Sequence, residues 1–374
     1  MKISEVKVIH LRPRWSFVRV STDEGVVGWG EANLEGRSRT VAMAIEELLP
    51  ELLGKDPRQI ERLWQGMYRH AFYRGGPILM SAISGIEQAL WDIVGKWLGV
   101  PVSQLLGGAV RERVRVYRHI GGETEEELVA SAKEAARLGF TAVKTSISGP
   151  ARVLESPAYI DGQIERLSVI RQALGPSIDL AIDFHGRVGP ALAVTLARAI
   201  ESAQIRPLFI EEPCLPENVD ALAQVARSTS IPIASGERLF AKWGFREVLE
   251  KRAVAVVQPD LAHCGGIFEG KKIAAMAETY FVGFAPHNPL GPINLAASLN
   301  LVATVPNFLA QEQVHCGQGY LTEPFSIVDG YIAVPEGPGL GFTIDEDHLQ
   351  ELSYDGAWQT PIWEHPDDGS VADW

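Results

Sequence analysis

The chain has 374 residues, 46% hydrophobic and 22% charged: enough apolar content for a large barrel core plus a second module, and no long polar tract. Its formal net charge of −13 argues against nucleic acid or an anionic membrane as partner, and leaves an acidic substrate dependent on a local positive charge such as a bound metal. Cys214, Cys264 and Cys316 are scattered and odd in number, which excludes a disulfide framework or a thiolate metal site, and no apolar run reaches bilayer length.

The opening stretch, MKISEVKVIHLRPRW, lacks a long apolar leader core and reads as a first strand, so a soluble, cytoplasmic protein is expected. Strand-like segments continue to about Glu31, with FVRVST and VVGWGEA flanking the turn Thr22-Asp23-Glu24-Gly25. Helical patterns follow at 37–53, 57–72 and 77–98, the last closing on Gly99 and then Pro101. Strands followed by packed helices predict an α+β module over residues 1–112.

After Gly107-Gly108 the texture changes. VRVYRHI (114–120) reads as a strand, and Thr124 with Glu127 resembles a capping box opening a helix to about Leu138. AVKTS (142–146) is the next strand. Short apolar runs then keep ending in a polar cluster followed by a helix: IDLAIDFHG, RPLFIEEP, IPIASGER, AVAVVQPD, YFVGFAPHN and FLAQEQ. These runs are continuous rather than alternating, as in a parallel sheet buried on both faces. Their terminal polar residues, Asp183, Glu211, Glu237, Asp260, His287 and Glu312, are spaced 28, 26, 23, 27 and 25 residues apart. Each step holds one strand, one helix and two loops, the rhythm of a βα series that closes into a TIM barrel over residues 113–325. The longer interval of 39 residues from Lys144 to Asp183 predicts a loop at about 147–162 overhanging the same face. From 326 to 374 the rhythm is lost, and this segment is expected to pack back on the first module.

In such a barrel every strand ends on one face, so these polar residues converge. Asp183, Glu211 and Glu237 would repel one another unless a cation lay among them, and all-oxygen ligation points to Mg2+, one per chain. Any single acid here could be a helix cap. Three at the same point of consecutive repeats favour a metal site. Asp260 and His287 would be neighbours, and a carboxylate accepting from one imidazole nitrogen makes the other a general base. His185, two positions after Asp183, could donate a proton to a leaving hydroxyl or simply support the metal site. Lys144 could orient a substrate carboxylate or bridge barrel acids. Glu312 could hydrogen-bond an enediolate oxygen if protonated.

These residues, in this order, resemble the enolase superfamily and, within it, the mandelate racemase subgroup. The likeness extends through Arg74-Gly75-Gly76-Pro77-Ile78-Leu79-Met80, Ala89-Leu90-Trp91-Asp92-Ile93, Asp183-Phe184-His185-Gly186-Arg187, Phe209-Ile210-Glu211-Glu212-Pro213, Gln258-Pro259-Asp260, Ala285-Pro286-His287 and Gln311-Glu312-Gln313. It implies a (β/α)7β barrel, an N-terminal capping domain completed by the C-terminal segment, and Mg2+ on Asp183, Glu211 and Glu237. It also implies a sugar-acid substrate, proton abstraction by His287 with Asp260, protonation of the departing hydroxyl by His185, and a homo-oligomer. Racemases of the subgroup carry a second lysine two positions after the first. Here Lys144 is followed by Thr145 and Ser146, which favours dehydration over two-base racemisation. The capping domain makes Trp15, Arg37, Tyr73 and Arg74 candidate substrate contacts, with Ser146 facing them from the barrel. An isomerase or lactone cycloisomerase of the same superfamily, and a non-catalytic sugar-acid-binding barrel, stay open at this point.

Overall fold

The computed structural model describes residues 1–70 and 72–374. Strands β1 (Ile3–Leu11), β2 (Trp15–Thr22) and β3 (Val27–Glu31) form an antiparallel sheet. Helices α1 (Ser38–Leu52), α2 (Ile60–Arg69) and α3 (Pro77–Leu98) pack against it over Val18, Val41, Ile45, Trp64 and Ile86. Strand β3 lies directly on the backbone of α3. A Cβ at Gly30 would stand 1.8 Å from the Gly85 carbonyl oxygen, so only glycine permits this approach.

A short helix, α4 (Val102–Leu105), leads into the barrel. Its strands and helices alternate: β4 (Arg113–His119), α5 (Glu125–Arg137), β5 (Ala142–Ser146), α6 (Pro157–Leu174), β6 (Asp179–Asp183), α7 (Pro190–Ser202), β7 (Phe209–Glu211) and α8 (Val219–Arg227). There follow β8 (Ile233–Ser235), α9 (Ala241–Glu250), β9 (Val256–Val257), α10 (Ile267–Thr279), β10 (Gly283–Phe284), α11 (Pro292–Val302) and β11 (Gln311–Glu312). Strands β4 to β10 pair in parallel and in sequence. Phe284 then exchanges backbone hydrogen bonds with residues 307 and 309, and β11 pairs with β4, which closes a (β/α)7β barrel. The predicted capping box is present: Thr124 accepts from the Glu127 N–H, and Glu127 reaches back to the Thr124 N–H.

Two features differ from the sequence expectations. Helix α6 starts at Pro157, because Ser156 caps it and proline suits its first position, so the overhanging loop spans 147–156 rather than 147–162. The C-terminal segment serves more than the first module. Its hairpin β12 (Ile327–Val328) and β13 (Tyr331–Ala333) adds β13 antiparallel to the start of β4. After α12 (Glu346–Leu352), the Tyr354 N–H donates to the His10 carbonyl on β1. A last hairpin, β14 (Trp363–Glu364) and β15 (Val371–Ala372), lies by the 147–156 loop, where Arg152 pairs with Asp367 and Asp368 at 2.6 and 2.9 Å.

Candidate active site

The barrel interior is layered. Ala181, Phe209, Ala234, Val256 and Ala285 form a small apolar plug. Asp183 and Glu211 lie two residues beyond Ala181 and Phe209, so the period of two sets both carboxylates on the same face just above the plug. The register aligns Ser146 with Asp183 and Asp183 with Glu211. Glu237 follows β8 by two residues. Asp260 and His287 each follow their strands by three, and a further parallel bridge joins them.

Lys144 stands among the acids. Its Nζ is 2.6 Å from Glu312, 2.9 Å from Glu211 and 3.2 Å from Asp183. Burial opposes the ammonium charge, but Glu211, Glu312 and Asp183 outweigh it and hold the lysine charged. One ammonium does not balance three carboxylates. Burial and the neighbouring Asp183 push Glu211 well above the usual carboxylate range, so it favours its protonated form. Glu211 Oε2 is buried without a hydrogen-bond partner, and Asp183 Oδ2 meets only the charged or ring nitrogens of Lys144 and His185, each at 3.2 Å. Among the described residues no three histidine, cysteine, aspartate or glutamate side chains converge closely enough to hold a metal ion. Excess negative charge, the unpartnered Glu211 Oε2 and an all-oxygen donor set at the ends of adjacent strands nevertheless fit a hard divalent cation, which would displace the proton from Glu211.

The His287 Nδ1 is 2.9 Å from Asp260 Oδ2, and its Nε2 faces the cavity 3.3 Å from Glu237. The Asp260 contact assigns the proton to Nδ1 and leaves Nε2 as the site that accepts one. Burial disfavours the imidazolium, yet Glu237, Glu312 and the Asp260 hydrogen bond push His287 up to about 10. On the opposite wall, His185 Nε2 is 3.2 Å from Asp183 Oδ2, and its backbone N–H donates to Asp183 Oδ1 at 2.8 Å. Burial pulls the His185 imidazole below its ordinary value. The Trp374 ring covers it edge-on, with centroids 5.5 Å apart.

The neighbours of Glu312 favour its ionised form. Burial would raise its pKa, but Lys144, His287 and His119 hold it well below the usual range, and the carboxylate accepts from the Asn288 N–H at 2.8 Å. His119 Nε2 lies 2.6 Å from Glu312 Oε1. The sequence reading passed over His119, although it ends β4 as Asp183 ends β6. The polar interior also includes the Tyr117 hydroxyl, Ser235 Oγ and both amide atoms of Gln258, all buried without partners. Glu212 turns away from the cavity to an ion pair with Arg238.

The capping-domain candidates divide. Trp15 is buried and lines a closed-up recess together with Leu290, just beyond His287-Asn288-Pro289. Arg37 caps α1, is exposed, and donates to the Gly36 carbonyl. Tyr73 is 83% exposed and, with Arg74, lines a cavity of about 170 Å³ bounded by Glu47, Tyr68 and Leu79 on the capping domain. Trp15 thus lies near the segment that follows His287, while Arg37, Tyr73 and Arg74 are exposed on the capping domain.

Residues 127–348 match the family described as enolase C-terminal domain-like, and residues 9–107 match the mandelate racemase/muconate lactonizing enzyme N-terminal domain. Relatives named D-galactonate dehydratase, from Xanthomonas campestris pv. campestris (strain B100) and Ralstonia nicotianae, are each 48% identical over 385 residues, covering 100% of both chains. A mandelate racemase/muconate lactonizing enzyme-like protein of known structure from Rubrobacter xylanophilus is 37% identical with a TM-score of 0.89, covering 95% of this chain and 98% of its own. A mandelate racemase/muconate lactonizing enzyme from Jannaschia sp. CCS1 is 33% identical with a TM-score of 0.90, over 95% and 98% of the two chains.

Proposed function

Because the chain belongs to the mandelate racemase/muconate lactonizing enzyme family of the enolase superfamily, we propose that it dehydrates D-galactonate to 2-dehydro-3-deoxy-D-galactonate. It is a hydro-lyase of the sugar-acid class, in keeping with its end-to-end relatives. The observation that carries the mechanism is the pair of histidines on opposite walls of the acid cluster, one paired with Asp260 and one with Asp183.

Asp183, Glu211 and Glu237 would hold Mg2+. When bound, the ion supplies positive charge against the enediolate form of the substrate carboxylate and offsets the field of Glu237 on His287. His287 Nε2 takes the C2 proton, and Asp260 stabilises the imidazolium that results. The C2 electron pair forms the carbon–carbon double bond as the C3–O bond breaks. His185 delivers a proton to the departing hydroxyl, giving water. Its burial-depressed basicity makes it a stronger donor once protonated. The enol left behind tautomerises to the 2-keto acid. Lys144 keeps Glu211 and Glu312 in place, and the Ser146 position carries no second amine base.

The test is formation of 2-keto-3-deoxy acid from a panel of aldonic and aldaric acids, with Mg2+ and with EDTA. EDTA-sensitive product from D-galactonate supports the reading. Product from a different acid moves the specificity to the surroundings of Ser146 and Trp15. No keto acid from the whole panel sinks the dehydratase assignment.

A further inference from the structure

The base dyad is held from behind by a chain of buried amides that starts in the capping domain. Glu31, Gln88, Asn294 and Asp260 are each 0% exposed. The backbone N–H of Glu31, at the end of β3, donates to Gln88 Oε1 at 3.0 Å. That bond fixes which end of the Gln88 amide carries nitrogen. Gln88 Nε2, on α3, donates to the Leu261 carbonyl at 3.1 Å and to Asn294 Oδ1 at 2.9 Å. The Asn294 amide is oriented in turn. Its Nδ2, on the first turn of α11, donates to Asp260 Oδ1 at 3.0 Å and to Asn288 Oδ1 at 2.9 Å. Asp260 Oδ1 also accepts the Ala262 N–H at 2.8 Å, which leaves Oδ2 for His287 Nδ1.

Every bond in this series has one direction, from a backbone N–H in one domain to the carboxylate that orients the base in the other. From this geometry we infer that Gln88 and Asn294 are positioning residues: they lock the Asp260 carboxylate so that His287 Nε2 points at the substrate. Base competence is thereby tied to docking of the capping domain. The inference rests on the proposed proton abstraction by His287. The carboxylate side chain of Glu31 reinforces the same junction, accepting the Gly291 and Asn294 N–H groups at 2.6 and 3.0 Å.

Gln88→Glu is the informative variant because it keeps shape and volume. One oxygen can still accept from Glu31, and once ionised, at a pH well above about 7, the side chain has no donor for Asn294. The Asn294 amide must then rotate toward the new carboxylate, withdrawing its Nδ2 from Asp260 and presenting an oxygen instead. Asn294→Leu removes the same donor directly, and serves as the second variant should either one fold poorly. The experiment follows C2–H exchange in D2O and keto-acid formation from D-galactonate with Mg2+, alongside Mg2+ titration and thermal melts. Loss of a hydrogen bond to a charged group predicts that kcat and exchange fall together by about 10- to 100-fold, with KM and Mg2+ affinity held within about threefold. A KM or Mg2+ defect with kcat intact would mean that the amides shape binding rather than the base, and would overturn the inference. Wild-type exchange that both folded variants retain overturns the positioning role alone. Neither exchange nor keto acid from the wild type overturns that role and the dehydratase reading together.

Discussion

Replacing Lys144 with Met tests how the acid cluster is balanced. The substitution nearly conserves volume and removes one charge lying within 3.2 Å of three carboxylates, all at most 3% exposed. Breaking a buried ion pair by deleting one partner costs about 3–5 kcal/mol, since the remaining charge is left uncompensated. An unfolding entropy of about 2.1 cal/mol/K per residue, over 374 residues, gives about 0.8 kcal/mol/K. The loss in EDTA is therefore a fall in Tm of about 4–6 °C for a cooperative transition. Added Mg2+ should recover part of it, because the ion would return positive charge to Asp183 and Glu211, two of the three acids that Lys144 meets. The assay is calorimetry of both proteins in EDTA and in saturating Mg2+. The Mg2+-induced rise should be larger in the variant. Equal rises in the two proteins, or no loss of Tm in EDTA, would refute the idea that lysine and cation share one electrostatic role.

His287→Asn should lower turnover by about 10²- to 10⁴-fold, the usual worth of a positioned general base, without changing the melting transition. Measurable dehydration near the wild-type rate would remove His287 from that role. His185→Asn should suppress keto-acid formation yet retain C2–H exchange in D2O, because proton removal precedes loss of the hydroxyl. Equal loss of both would assign His185 to an earlier step. Glu87, fully buried on α3, is pushed up to about 7 by burial despite accepting from the Phe268 and Ile267 N–H groups and Trp91. The folded chain then binds that proton more tightly than the unfolded chain. Stability from this group is complete below 4.5 and is lost as pH rises through about 7. Denaturant midpoints of Glu87→Gln should decline less than those of the wild type between pH 5 and pH 8, and parallel declines would contradict the sign.

The barrel was legible because its signal is local and repeated: an apolar run, a polar end and a helix, at nearly constant spacing. The acids were legible for the same reason, since a strand end is a place in the sequence as well as in space. The addition of β13 to β4 was not, because antiparallel pairing between residues 331–333 and 113–115 leaves no mark in either segment. Lys144 had two readings from sequence, and its distances to Glu211, Glu312 and Asp183 are those of a lysine bridging barrel acids. The protonation of Glu312 was left open by the sequence because it depends on His119 and Lys144, groups 193 and 168 residues away in the chain. Charge state is a sum over neighbours, and neighbours are what a linear pattern hides.

Helix α3 shows the same limit from the other side. Its sequence marks a helix at 77–98 but gives no sign that Glu87, Gln88 and Asp92 are buried. Buried polar groups of this kind are costly unless each is met, and each is met by a different part of the molecule. Glu87 accepts the first N–H groups of α10, and Gln88 donates to Leu261 and Asn294 behind the dyad. Asp92 accepts the Trp29 and Leu340 N–H groups and pairs with Lys96 at 2.6 Å. One helix thus joins the capping sheet, the barrel and the C-terminal segment through bonds that apolar contact alone would not orient. Hydrophobic burial would let the domains slide by an ångström at little cost, whereas these directional bonds would not. An enzyme whose base is aimed from the neighbouring domain needs that fixed register, which accounts for polar side chains persisting in a helix otherwise suited to leucine and alanine.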